Sequence, residues 1–356
     1  MREVNRCIKT YLAGAGRSSH RLALMSAEKL YAAREAVCGL VGTDAPEAVV
    51  FTLNATYALN MAIKTTVERG SHILISDLEH NSVLRPIYKL SRTDNVSFSV
   101  FRTSVSSLED EIERHITKTT RAIVSTLGSN VTGKTIPLSL LSRIRKRHNL
   151  KLIVDASQVI GHELINLKKT PVDVLCAPGH KALFGIAGIG FAVFLDKSAR
   201  ESFIEGGSGI DSLNPLMPED NPEHFEAGTL PIPAAVSLLE GISYINSVGI
   251  PEIKARLDSN LELILARIES IPGAVIFSEG LGILSFKIDD IPSSVIASEL
   301  DRVGIFTRSG LHCAPLVHEA LGTVKQGLVR ISLSYLNRAE DADKLYTALS
   351  QIRKKY

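Results

Sequence analysis

The 356 residues carry 40 Lys and Arg against 38 Asp and Glu, a formal net charge of +2, so the composition implies neither nucleic acid nor a membrane surface as a partner. Hydrophobic content of 45% and charged content of 22% are those of a soluble globular protein, and the length calls for a large domain with a smaller one. No apolar run reaches the ~20 residues of a membrane span, no signal peptide opens the chain, and the cysteines (Cys7, Cys38, Cys176, Cys313) lack CxxC spacing. That argues against a disulfide framework and against a zinc site, and points to the reducing cytosol.

Apolar runs of strand length alternate with amphipathic helical stretches. "AVVFTLN" leads into "ATYALNMAIKTTVERG", "HILISD" into "SVLRPIYKLSR", and "VSFSVFR" into "SSLEDEIERHI". "RAIVSTLGSN" leads into "PLSLLSRIRKRHN", and "LKLIVDAS" follows. The alternation and the nearly all-apolar strands predict an α/β fold with a mostly parallel sheet and helices on both faces. The basic run "RIRKRHNLK" reads as the exposed face of a helix. "VDVLC" and "IAGIGFAVFLD" read as two more buried strands, with "APGHKALFG" between them. From about Gly206 a stretch rich in Gly, Pro and acidic residues reads as a long structured loop, and a helix begins near Ala234. From about Gly249 the pattern is helix, strand, strand, helix, strand, helix, a smaller α+β domain.

Polar residues gather where the predicted strands end, which is where parallel sheets bind ligands. Asn54 and Thr56 stand at a strand-to-helix turn, a ready phosphate site that simple capping also explains. Asp155 and Gln158 follow another strand; taken alone, Asp155 reads first as a cap or turn residue. His80, Asn130, His180 and Lys181 complete the set. A lysine between two buried strands is costly as a cation. A lysine that must form a Schiff base needs such a setting, because partial burial lowers its pKa. An aspartate that keeps a pyridine nitrogen protonated makes pyridoxal 5'-phosphate (PLP) an electron sink. Cys313 lies in a polar, glycine-flanked loop with Arg308 and His312, neighbours that favour a thiolate, and the loop is expected to swing between substrate and acceptor. Cys7, Cys38 and Cys176 read as inert.

In order and spacing, "GRSSHRLAL", "FTLNATYALN", "SDLEHNSVLRP", "SNVTGKTIP", "VDASQ", "GHK", "FEAGT", "RSGLHCAP" and "GLVRISLSYLN" resemble the cysteine desulfurases of the class-V, fold-type I PLP enzymes. The resemblance spans nearly the whole chain. It implies a large PLP-binding domain over residues 19–245 and a small domain of 1–18 and 246–356 carrying the cysteine loop. It implies Lys181 as the covalent anchor of PLP, His80 stacked on the pyridine ring, Asp155 on the pyridine nitrogen and Gln158 on the phenolic oxygen. Ala55, Thr56 and His180 would hold the phosphate, and Thr229 would complete the phosphate site of a second subunit in a homodimer. Asn130 and Arg330 would bind the carboxylate of L-cysteine, and Cys313 would take its sulfur and pass it to an acceptor protein. The chain departs from the family at Pro178, often Ser or Ala in relatives, at Leu230–Pro231, usually Pro-Asn, and at Leu311, where some relatives carry a second histidine. The family's usual opening strand is not recognisable in "MREVNRCIKTYLAGAG". Two other readings stay open on the same scaffold: a PLP-dependent C–S β-lyase or selenocysteine lyase, and a binding protein that retained the fold.

Overall fold

The computed structural model describes residues 1–356 except 17, 197, 199 and 200. The chain opens with α1 (Arg2–Thr10) and α2 (Arg21–Val41). It continues through β1 (Val49–Thr52), α3 (Ala55–Thr66), β2 (His72–Ser76), α4 (Asn81–Thr93), β3 (Ser97–Phe101), α5 (Leu108–His115) and β4 (Thr120–Thr126). Then follow α6 (Leu138–His148), β5 (Lys151–Asp155), β6 (Val174–Pro178) and β7 (Gly190–Phe194). These strands form one seven-stranded sheet in the order β1-β7-β6-β5-β4-β2-β3. The pairs β2–β3, β2–β4, β4–β5 and β5–β6 are parallel; β7 runs antiparallel between β6 and β1. The carboxyl ends of β1, β2, β4, β5 and β6 therefore share one edge.

The all-apolar strands follow from burial on both sides. On β2, Leu74 packs with one hydrophobic cluster while Ile73 and Ile75 pack with the other. On β5, Leu152 and Val154 face one way and Ile153 the other, the period-2 alternation of a strand. The basic stripe of α6 is met by acids: Arg143 and Arg147 pair with Glu109, Arg147 with Glu113, and Arg145 with Asp173.

The long loop ends at α7 (Ile232–Val248), followed by α8 (Ile250–Glu269). The segment 1–18, expected with the C-terminal unit, packs through α1 onto α7: Val4, Cys7 and Tyr11 form a cluster with Ile232 and Val236. The remainder comprises β8 (Ala274–Gly280), β9 (Ile283–Ile288), α9 (Ser293–Arg302), β10 (Arg308–Gly310), α10 (Pro315–Ala320), β11 (Leu328–Ser332) and α11 (Ala339–Lys355). Its four strands make an antiparallel sheet ordered β10-β11-β9-β8. Sequence periodicity misses β10 and α10, which are too short to show a period and flank the Cys313 loop. No helix among the described residues is long and apolar enough to cross a membrane.

Candidate active site

The strand ends open onto a cavity of about 510 Å³ between the two sheets. Ala55, Thr56, His80, Asn130, Asp155, Gln158, His180, Lys181 and Arg330 all line it. Each arrives by a short local device. Asn54 caps α3, its Oδ1 accepting from the Tyr57 N–H at 3.0 Å. The amides of Ala55 and Thr56, which no helical carbonyl can take, are left at an anion-favouring helix start. His80 caps α4: its Nδ1 accepts the Ser82 N–H at 3.0 Å, so a neutral ring carries its proton on Nε2. Burial pushes the His80 ring below its ordinary range and keeps it neutral. Ser82 Oγ links the Thr56 hydroxyl and His80 Nδ1, each at 2.8 Å. Beneath them Glu79 is buried, bonded to the Ser76 hydroxyl and the Thr126 N–H, with Oε2 unpartnered. Burial pushes its carboxyl up to about 8. Asp155, at the last position of β5, accepts the Ser157 N–H at 2.9 Å.

Lys181 sits on a turn closed by hydrogen bonds from Gly185 N to the Gly179 carbonyl (2.9 Å) and from Phe184 N to the Lys181 carbonyl (3.1 Å). A side chain at Gly185 would meet the Gly179 carbonyl at 2.8 Å, so the turn needs a glycine there. The expectation of a lysine buried between strands is corrected: the turn projects beyond the strand ends, and the side chain is exposed to the cavity. The amine still lies deep enough that burial pushes its pKa down; Arg330 and Arg308 push the same way and Asp155 opposes them.

The small sheet supplies the opposite wall. Arg308 on β10 stands directly across from Arg330 on β11, and both line the cavity. Arg330 donates from Nη1 to the Asn130 carbonyl at 3.0 Å, while its Nε and Asn130 Oδ1 are buried without partners. Facing like charges are unfavourable without an anion between them, and burial with Arg308 nearby lowers the pKa of Arg330.

Two expected residues lie outside the cavity lining. Thr229 is exposed; the loop before it is anchored by buried Glu226, paired with Arg34 at 2.5 Å and accepting the Phe51 N–H at 2.6 Å. Cys313 is half-buried at the rim, with its Sγ 3.3 Å from Arg308 Nη2. Cys7, Cys38 and Cys176 are buried, and burial pushes all three thiols up, Cys38 to about 11. The Cys313 loop is not the free flap its glycine suggests. The Cys313 carbonyl accepts the Asn81 N–H, and the His312 carbonyl accepts from Asn130 Nδ2, each at 2.7 Å. Nor does His312 place a cation at the thiol: its ring nitrogens contact His318 and the Arg308 carbonyl, and burial pushes it down to about 4. Sequence reasoning missed Ser82 and Glu79 as parts of the site, and it named Arg308 only as a neighbour of Cys313, not as the partner of Arg330 on the cavity wall. "SDLEHNS" and "RSGLHC" contain them, but no spacing rule singles them out.

The donor set fits PLP: a helix-start anion site at Ala55 and Thr56, a lysine with a lowered pKa, a buried aspartate, a neutral histidine, and an arginine with a free buried Nε.

A family model described as Aminotransferase class-V matches residues 1–345. A probable cysteine desulfurase of Methanothermobacter thermautotrophicus is 32% identical over 365 residues, covering 99% of this chain and 90% of the relative. One of Borreliella burgdorferi is 27% identical over 97% of this chain and 86% of its own. The apo structure of a cysteine desulfurase from Thermococcus onnurineus superposes with a TM-score of 0.91 at 25% identity, covering 100% of this chain and 91% of that one. With the strand-edge cavity and its lysine already in place, the family match over nearly the whole length leaves one assignment: the chain belongs to the class-V aminotransferases.

Proposed function

We propose that this chain is a PLP-dependent cysteine desulfurase, converting L-cysteine to L-alanine and leaving the sulfur as a persulfide on Cys313. The observation that carries the reading is the arginine pair: Arg308 and Arg330 face one another across β10 and β11, both on the cavity, and Arg308 also touches the Cys313 thiol. That arrangement suits an amino acid with a carboxylate at one end and a sulfur that must reach a cysteine.

PLP, when bound, withdraws electrons from the bonds at the substrate α-carbon. Lys181 Nζ would anchor it and would then serve as the group that moves the substrate α-proton. Asp155 would keep the pyridine nitrogen protonated, Gln158 would hold the phenolic oxygen, and the neutral His80 ring would hold the pyridine ring. Thr56, His180 and the Ala55 amide would hold the phosphate. Arg330, whose Nε has no protein partner, would bind the substrate carboxylate. Asn130, expected beside it there, gives its Nδ2 to the His312 carbonyl and leaves only the accepting Oδ1, which would take an N–H of the substrate amino group instead. Cys313 Sγ attacks the substrate sulfur. An S–S bond forms, the substrate Cβ–S bond breaks with its electron pair left on carbon, and protonation of that carbon completes alanine. The sum is L-cysteine and a Cys313 thiol giving L-alanine and a Cys313 persulfide, with no outside oxidant or reductant.

Thr229 serves the phosphate of a second copy, so the working unit is a homodimer. Its support is the loop before Thr229, where Leu213 is 98% exposed and Leu216 76% exposed, apolar surface that a second subunit would cover. The persulfide then passes to an acceptor in the cytoplasm.

The deciding experiment measures products from L-cysteine. The wild type should yield alanine and a persulfide found by mass spectrometry on the Cys313 peptide. Cys313→Ala should still bind PLP and cysteine but form neither. Pyruvate in place of alanine, or unchanged alanine release by Cys313→Ala, would give the reaction to a β-lyase instead.

A further inference from the structure

Behind the Cys313 thiol lies a pair of histidines that the chemistry above does not use. His312 and His318 are 2% and 0% exposed, with ring centroids 5.4 Å apart and ring planes 22° from parallel. Their hydrogen bonds fix every proton when both are neutral. His312 Nε2 is 3.1 Å from the Arg308 carbonyl, which only accepts, so Nε2 carries the hydrogen. His312 Nδ1 is then an acceptor, and its partner at 3.2 Å, His318 Nε2, must donate. That leaves His318 Nδ1 to accept from the Thr323 hydroxyl at 2.8 Å. The chain of donors runs one way, from Thr323 through both rings to the β10 backbone. Burial pushes both rings down, and Arg308 on β10 and Arg330 on β11 also oppose a charge on His312.

The turn it braces needs bracing. His312 and Cys313 have φ of 52° and 59°, consecutive non-glycine residues in the left-handed region. Both are strained relative to a relaxed backbone, so an unsupported turn would relax and carry the thiol away. Asn130 and Asn81 hold the carbonyls of His312 and Cys313. Among the described residues, the His312 ring is held by its hydrogen bonds to His318 and to the Arg308 carbonyl. His318 itself lies on α10 and is absent from the cavity lining.

We propose that His318 is a positioning residue for Cys313: its Nε2–H fixes the His312 ring, and the ring holds the left-handed turn that keeps the thiol beside Arg308. The role rests on Cys313 being the sulfur-accepting nucleophile, and the test separates the two claims. In the PLP-loaded enzyme, His318→Leu keeps bulk and removes the donor. His318→Gln keeps an amide N–H that can reach His312 Nδ1, and Thr323→Val removes only the hydroxyl. Two quantities are read: steady-state alanine formation, and the iodoacetamide alkylation rate of the Cys313 peptide.

His318→Leu should lower kcat by about tenfold or more, with KM for cysteine within about twofold, because a misplaced thiol impairs chemistry rather than binding. It should shift the alkylation rate, His318→Gln should recover most of both, and Thr323→Val should fall between. A folded His318→Leu protein with wild-type kcat and alkylation overturns the proposal. So does a His318→Gln protein as impaired as His318→Leu at the same Tm, the mark of a purely structural role. If His318→Leu does not fold, wild-type behaviour of Thr323→Val in both readouts overturns it equally. If the wild type makes no alanine, the desulfurase reading falls, while the alkylation rates still decide whether His318 positions the thiol.

Discussion

In this reading one side chain carries the covalent attachment of the cofactor, and its surroundings show why it can. Lys181 is held on a closed turn, exposed to the cavity yet deep enough for burial to depress its pKa, with two arginines across the cavity adding to that effect. A lowered pKa raises the fraction of free amine, the form that attacks a carbonyl. Lys181→Ala should therefore abolish the absorption band of the covalently attached cofactor and all turnover. Borohydride treatment of the wild type should fix the cofactor to the peptide containing residue 181. Label recovered on another lysine would reject the assignment.

The element that aims this lysine is α7. It lies directly on the 179–185 turn: Ser237 Oγ accepts the Ile186 N–H at 2.9 Å, and Gly241 lies so close that an added Cβ would be 1.9 Å from the Leu183 carbonyl oxygen. Alanine in a helix interior is ordinarily better than glycine by ~0.5–1 kcal/mol. Here the contact reverses the sign, because the clash is with backbone and one of the two elements must move. Gly241→Ala should cost about 1–3 kcal/mol and weaken PLP binding through the displaced Lys181 turn. Denaturant unfolding and a cofactor titration would check both; a stabilised variant with wild-type affinity would contradict the packing.

At the scale of the whole molecule, buried neutral histidines tie stability to pH. The His312 ring, ordinarily near 6.5, is pushed down to about 4 in the folded chain. Between those values the unfolded chain binds the proton and the folded one does not, so stability is present above pH 6.5 and declines as pH falls toward 4. The shift corresponds to about 3 kcal/mol across that window. His72, His162 and His318 are depressed in the same direction. Unfolding free energies measured from pH 7 to 4 should decline, with a shallower slope for His312→Gln; equal slopes would remove His312 from the account. Assembly is the other property of this scale. A dimer by light scattering is expected, with lower PLP affinity in Thr229→Ala. An active monomer would contradict the shared phosphate site.

The sequence by itself determined the sheet and the edge at which its polar residues collect. Strands buried on both faces must be apolar throughout, and a parallel sheet puts Asn54, His80, Asn130, Asp155 and Lys181 at the same ends of neighbouring strands. Both facts are local, written in short windows of chain. What crosses the chain was not legible there. The register of β10 on β11 sets Arg308 opposite Arg330. The Asn130 side chain holds a carbonyl 182 positions away in the cysteine loop. "RSGLHC" promised a basic, swinging loop, but packing against α10 neutralised His312 and hydrogen bonds pinned the turn. Periodicity reports which face of an element meets the core. It cannot report which nitrogen meets which carbonyl, because desolvation and hydrogen-bond partners exist only once distant segments have packed together.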